Sequence, residues 1–98
     1  MRSKQIKLSP DEMRIRARDY HSEAAKLGET IKQSERMLRS LQGEWEGAAS
    51  LSYSERFAQL KPSLVATCEL LQETARGLES TAKLIEETDR DIANRFKV

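Results

Sequence analysis

The segment Gly43-Glu44-Trp45-Glu46-Gly47 lies in the middle of the chain and predicts a reversal of its direction. Two glycines within five residues supply the backbone freedom that a tight turn requires. On both sides of this segment, apolar residues recur with the period of long amphipathic helices. We therefore predict an all-α fold, an antiparallel two-helix hairpin whose turn covers residues 43–48.

The helix before the turn is predicted over about residues 9–43. Ser9 and Glu12 have the spacing of a capping box, and Pro10 suits the first helical turn. Apolar residues then alternate at steps of four and three, which is the spacing of a heptad seam. The main seam residues of this helix are Leu27, Ile31, Leu38 and Leu41.

The helix after the turn is predicted over about residues 49–96. Pro62 lies inside it and removes one backbone hydrogen bond, so we expect either a kink or an early helix end there. The periodicity crosses Pro62 without a change of phase, which favours the kink. The seam residues recur every seventh position and are Phe57, Leu64, Leu71 and Leu78.

The heptads present more apolar width than a single partner helix can cover. We therefore predict that two hairpins, either two copies or this chain and a paralogue, form an elongated four-helix bundle. The second helix is also the longer one. Counted from Trp45, it passes the start of the first helix at about residue 82, so residues 85–98 are expected to overhang as a tail. Apolar residues in an overhanging tail are available to another protein.

Composition excludes several classes of function. The net charge of +1 argues against a nucleic-acid binder, and no apolar run approaches the ~20 residues of a membrane span, so stable membrane insertion is not expected. No h-region follows the basic N-terminus, so any export is expected to proceed without a cleavable signal peptide. His21 and Cys68 have no neighbours at metal-ligand spacing, and no nucleophile is paired with a base. We expect no metal, no cofactor and no enzymatic activity.

The motif Trp45-Glu46-Gly47, placed at the turn between two heptad helices in a chain of this length, resembles the WXG family. These early-secreted-antigen-type hairpins are substrates of type VII secretion. The resemblance covers essentially the whole chain and is to the branch from Gram-positive bacteria outside the mycobacteria. Three further stretches carry it: residues 8–12 (LSPDE), 60–63 (LKPS) and 88–94 (TDRDIAN).

The resemblance extends to the C-terminal tail. Members of this branch have a pattern of apolar and acidic residues that is matched here by Ile85, Asp89, Ile92 and Phe96. It implies a secreted, extracellular dimer, with Trp45 and Gly47 as one part of the export signal and the tail as the other. A membrane-bound secretion ATPase of the FtsK/SpoIIIE type reads this signal in the family. The mycobacterial spacing of Tyr three residues before an acid is absent, which argues against a mycobacterial type of heterodimer.

Other interpretations stay open from the sequence alone. Trp45 can serve only as a core residue, and Asp89 can be an ordinary solvated acid. The whole chain can be a cytoplasmic coiled-coil adaptor, although an adaptor needs neither the Trp-x-Gly turn nor the tail pattern. It can also be a membrane-active secreted virulence factor, but its helices lack the basic bias of interfacial helices.

Overall fold

The computed structural model describes residues 8–44 and 47–97. It contains two helices, α1 over Pro10–Glu44 and α2 over Ala48–Arg95. The helices run antiparallel and contact each other along their length. The predicted all-α two-helix hairpin is therefore confirmed. Trp45 and Glu46 of the predicted turn lie outside the described residues.

The start of α1 is fixed by a capping box. The backbone N–H of Glu12 donates to Ser9 Oγ at 3.1 Å, and the backbone N–H of Ser9 donates to Glu12 Oε1 at 2.9 Å. Each side chain thus satisfies a donor that the first helical turn would leave without a partner. The backbone hydrogen bond from Ser9 lowers the pKa of Glu12, because it stabilises the charged carboxylate.

The start of α2 depends on Gly47. Its φ of 150° and ψ of 171° lie in a region that essentially only glycine adopts. A Cβ atom added there would meet nothing within 4 Å, so the backbone, and not the available space, demands glycine. From Ala48 onwards α2 is uninterrupted and includes Pro62. The early helix end that the sequence left open at this proline is therefore wrong.

The hairpin is a ribbon one helix thick. Its principal extents are 78 × 32 × 16 Å, and the shortest is little more than the ~10–12 Å diameter of one helix. Small residues dominate the contact between the helices, which lets the backbones approach closely. The buried apolar residues in the described chain are Met13, Ala17, Ala24, Ile31, Ala75 and Ala82.

Most of the predicted seam is only partly covered within one chain. Ile31 is buried, with 6% of its surface exposed. The other seven seam residues are half-buried: Leu27, Leu38, Leu41, Phe57, Leu64, Leu71 and Leu78. One hairpin therefore leaves a continuous set of large apolar side chains in partial contact with water.

The overhang of α2 begins later than the sequence predicted. Arg14 of α1 still contacts Glu86 of α2, and Ile85 is half-buried. Every described residue from Glu87 to Lys97 is exposed. Within the predicted tail of 85–98, Ile85 and Glu86 thus belong to the hairpin, and Val98 lies outside the described residues.

The midpoint of the pairing between the two helices explains this difference. Residues 14 and 86 are paired, and their midpoint is residue 50; residues 42 and 54 are paired, and their midpoint is residue 48. The prediction counted from Trp45, which is three to five residues earlier. The residue numbers of each pair sum to twice the midpoint. A shift of the midpoint therefore moves the α2 residue opposite the start of α1 by twice as many positions.

Candidate protein-binding surfaces

One broad face of the ribbon carries polar contacts between the helices. Its α1 residues occur at heptad positions, so they lie in one column along the helix. The contacts cross to α2 along most of the length of the hairpin. The α1 residues are Arg14, His21, Glu35 and Gln42, and the α2 residues that they contact are Glu86, Glu79, Lys61 and Ser54, in that order.

The contact between Arg14 and Glu86 is bidentate. Arg14 Nη1 donates to Glu86 Oε2 at 2.9 Å, and Nη2 donates to the other carboxylate oxygen. These hydrogen bonds lower the pKa of Glu86 and raise the pKa of Arg14, since they stabilise both charged forms. In the same way, the hydrogen bond from Lys61 lowers the pKa of Glu35. The ion pairs Arg14–Glu86 and Lys61–Glu35 therefore favour one register of α1 against α2.

This face with its polar contacts was not predicted from the sequence. The signal that could have revealed it is the heptad repetition of hydrogen-bonding residues beside the apolar seam at positions 14, 21, 35 and 42. Such a column indicates a polar flank of a helix pair. The sequence does not show which residues of α2 stand opposite, because that depends on where the chain reverses.

The opposite broad face of the ribbon is apolar and contains a groove of about 570 Å³ near the turn. The groove includes three predicted seam residues, Leu38, Leu41 and Phe57. Exposed large side chains widen it, among them Met37 and Leu60. The full lining is Ser34, Met37, Leu38, Leu41, Tyr53, Arg56, Phe57 and Leu60.

The half-buried seam continues beyond the groove. Leu27 follows on α1, and Leu64, Leu71 and Leu78 follow on α2 at heptad steps. The apolar face thus runs along most of the hairpin. A continuous exposed apolar face of this kind marks a surface for protein–protein contact.

The C-terminal tail is a second apolar surface. Ile92 is 49% exposed and Phe96 is 80% exposed, and Asp89 is exposed between Ile85 and Ile92. The steps of four, three and four from Ile85 to Phe96 put all four residues on one helical face. Phe96 directly follows α2, and its N–H donates to Ile92 O at 3.3 Å. Three of the four predicted residues are thus presented to solvent together, whereas Ile85 packs at the end of the hairpin.

The structure describes only one of the two residues, Trp45 and Gly47, that are predicted to form the turn part of the export signal. Gly47 has a backbone conformation specific to glycine and opens α2, whereas Trp45 lies outside the described residues. Trp45 therefore stays a sequence-based prediction.

The described residues contain no group of three or more His, Cys, Asp or Glu side chains that could hold a metal ion. Over the same ranges, 8–44 and 47–97, neither helix is apolar enough over sufficient length to cross a membrane. Cys68 is half-buried against α1, with its Sγ 3.7 Å from the carbonyl oxygen of Ala24.

Known proteins match the chain over nearly its full length. The protein YukE of Bacillus subtilis (strain 168) is 36% identical over 92 residues, which are 94% of this chain and 95% of that protein. The type VII secretion system extracellular protein A of Staphylococcus aureus (strain USA300) is 31% identical over 91 residues, covering 93% of this chain and 94% of the relative.

The fold also matches a solved structure. The crystal structure of Geobacillus thermodenitrificans EsxA superposes with a TM-score of 0.87 at 36% identity, and the match covers 94% of this chain and 99% of that one. Residues 5–90 fit the WXG100 family, described as proteins of 100 residues with WXG. This match, together with the two-helix hairpin and the Trp45-Glu46-Gly47 motif between its helices, shows that the chain belongs to the WXG100 family.

Proposed function

We propose that this chain is a secreted substrate of a type VII secretion system that acts as a dimeric protein-binding module without catalytic activity. Its Staphylococcus aureus relative is named as an extracellular protein of such a system and matches nearly the whole chain. The apolar face and the tail are surfaces suited to binding proteins.

The exposed tail is the single observation that carries this proposal. Helix α2 continues past its last contact with α1, and there Ile92 and Phe96 are exposed to water. These two side chains therefore add little to the stability of the hairpin itself. Covering such side chains with a partner stabilises the complex by ~1.5–3 kcal/mol for each one that becomes fully buried. We assign the tail face of Ile85, Asp89, Ile92 and Phe96 to recognition by an FtsK/SpoIIIE-type secretion ATPase.

Asp89 has a different role from its apolar neighbours. A carboxylate at a protein interface needs a donor from the partner, because an unpaired buried charge is costly. Asp89 thus selects a partner with a basic or N–H donor at that point, while Ile92 and Phe96 provide affinity. Trp45 and Gly47 form the second part of the signal in this proposal, as the family resemblance implies.

The apolar face supports the dimer. Its half-buried residues include Leu27, Leu41, Leu64 and Leu71. A second copy that places the same face on this one would bury them in a four-helix bundle. Light scattering at micromolar concentration is expected to give twice the mass of one chain. A fully helical monomer of 11.2 kDa would contradict the dimer.

The test of the export signal is a chain that ends at Glu86. This truncation removes the exposed tail and keeps the contact of Glu86 with Arg14, so the hairpin and the dimer are expected to stay folded. Secretion into the culture supernatant of a host with an intact secretion ATPase is expected to be lost. Normal secretion of the truncated chain would contradict the assignment of the tail.

Two single substitutions sharpen this test. Asp89→Asn keeps the size of the side chain and removes the charge, so secretion should fall while the melting temperature stays unchanged. Asp91→Asn is the matched control, because Asp91 is also exposed but lies on a different face of α2. Equal secretion of the two variants would show that Asp89 has no specific role.

A further inference from the structure

The outer edge of α2, the side turned away from α1, carries large apolar side chains. Ala75 and Ala82 are fully buried between the helices, and residues two positions further along a helix lie on its opposite side. Leu84 occupies this outer side, as does Leu70 two heptads earlier, and their surfaces are 63% and 61% exposed. These leucines therefore contribute little to the packing of the hairpin and are available to another chain.

A stripe without charged residues connects the two leucines. About a third of the residues from 67 to 88 are charged, and none of them lies in the stripe. Thr67 Oγ1 donates to the carbonyl oxygen of Ser63, and Thr74 Oγ1 donates to that of Leu70, both at 2.9 Å. These two hydroxyls are satisfied within α2, so the threonine methyl groups are free for an apolar contact. The members of this outer stripe are Thr67, Leu70, Thr74, Gly77, Thr81, Leu84 and Thr88.

Gly77, at the centre of the outer stripe, is not required by the hairpin itself. It lies inside α2, where glycine is less favourable than alanine. Its φ is not positive, and an added Cβ atom would meet no described atom within 4 Å. A glycine on an exposed helical face does, however, let the backbone of a second helix approach closely.

The outer stripe has the same order of residues in both directions from Gly77. Leu70 and Leu84 are each seven residues away from it, and Thr74 and Thr81 are three and four residues away. A two-fold axis at Gly77 that relates two antiparallel α2 helices would therefore set Leu70 of one copy against Leu84 of the other. The outer stripe is thus complementary to itself.

The charges beside the outer stripe favour the antiparallel orientation. Across an axis at Gly77, Glu73 of one copy stands opposite residue 81 of the other, and Lys83 is two residues further along. Long side chains span this offset, so each contact has two Glu73–Lys83 pairs. Arg76, nearest the axis, lies one turn from Glu73 of its own copy. A parallel contact would instead set Glu73 level with Glu73 and Lys83 level with Lys83.

We propose that the outer stripe is a second self-association surface, through which two copies pack antiparallel with their α2 helices crossing at Gly77. The stripe is about 30 Å long at the helical rise per residue. It adjoins the apolar face, since Leu71 directly follows Leu70 and Leu78 directly follows Gly77. Because it lies on the outer edge of α2, it stays open when the apolar face is covered. Chains that are already paired through the apolar face are therefore linked into larger assemblies.

Sedimentation equilibrium of the purified chain from micromolar to millimolar concentration tests this surface. The mass is expected to rise beyond two chains at the upper end of this range. Gly77→Ala is expected to weaken this association about tenfold or more, because an added methyl group overpacks a close helix contact. The same substitution should raise the melting temperature of the hairpin, since alanine is the better helix former. Gly28→Ala, inside α1, is the control that raises the melting temperature and leaves the association unchanged.

A charge exchange tests the register of the contact. Glu73→Lys and Lys83→Glu each set like charges against each other, so each is expected to weaken the association about threefold, as is typical of exposed ion pairs. The double variant restores opposite charges and should recover the association of the unmodified chain. Additive losses in the double variant would overturn the proposed register.

Cysteine cross-linking tests the orientation. In a Cys68→Ala background, chains with Leu70→Cys and chains with Leu84→Cys are expected to form a disulfide when they are mixed, and neither should do so alone. Disulfides within each separate sample would show a parallel contact and overturn the proposal, as would a mass that never exceeds two chains together with no cross-link. Equal association of Gly77→Ala and Gly28→Ala would also overturn it. The proposal is independent of export, and a chain that pairs only through this edge would still show the mixed disulfide, so failure of the apolar-face dimer is distinguishable.

Discussion

Replacing Gly47 by alanine should destabilise the hairpin through its backbone alone. With φ at 150° and ψ at 171°, residue 47 has a conformation that costs about 1–3 kcal/mol for other residues. The added Cβ would meet no atom within 4 Å, so neither new packing nor a clash changes this cost. The free energy of unfolding is therefore expected to fall by the backbone penalty.

Gly28→Ala is the matched control, and it should have the opposite sign. Gly28 lies inside α1, and a Cβ there also meets nothing within 4 Å. Alanine is favoured over glycine in a helix by about 1 kcal/mol, so this variant should be more stable than the unmodified chain. The same chemical change is thus expected to produce opposite shifts at two positions with equal free space.

Circular dichroism melting at one fixed protein concentration measures both effects, since the melting temperature of a dimer depends on concentration. A change of 1 kcal/mol corresponds to roughly 4–8 °C in a domain of this size. A melting temperature of Gly47→Ala equal to or above that of the unmodified chain would refute the backbone argument.

The combined variant separates stability from export. Gly28→Ala and Gly47→Ala are far apart, so their effects on unfolding should add and largely cancel. If the conformation at Gly47 belongs to the export signal, secretion of the combined variant stays reduced although its stability is restored. Full recovery of secretion would show that Gly47 acts through stability only.

Two further predictions concern the contacts between the helices. Because hydrogen bonds from Arg14 hold the pKa of Glu86 below the ordinary value of a glutamate, this contact stabilises the fold above that ordinary value and is lost as the pH falls through the lowered pKa. Glu86→Gln should therefore have a lower melting temperature at pH 7 and a smaller fall in melting temperature between pH 7 and pH 3 than the exposed control Glu87→Gln. Identical pH profiles of the two variants would contradict this role of Glu86. Ala82, with 0% exposure, leaves no room for a larger side chain, so Ala82→Leu should destabilise the hairpin by about 1–3 kcal/mol, whereas the exposed control Ala66→Leu should not. Urea unfolding monitored by circular dichroism measures the difference, and equal midpoints would show that the helices separate easily at Ala82.

Local sequence signals predicted the elements of the fold. The capping box of Ser9 and Glu12, the glycines around Trp45 and the heptad seam depend on neighbours within a few residues, and such short-range rules can be applied without coordinates. The Trp-x-Gly motif and the tail pattern of Asp89, Ile92 and Phe96 were visible for the same reason.

The tertiary structure decided the features that depend on which residues face each other across the hairpin. The midpoint of the pairing between the helices lies at residues 48–50 and not at Trp45, which moves the end of the pairing to Glu86 and transfers Ile85 from the tail to the hairpin. It also set Arg14 opposite Glu86. Heptad spacing fixes only the column in which a residue lies, because every seventh residue is equivalent along a helix. The alignment of α1 with α2 along their axes requires a contact between the two helices, and only the folded hairpin contains one.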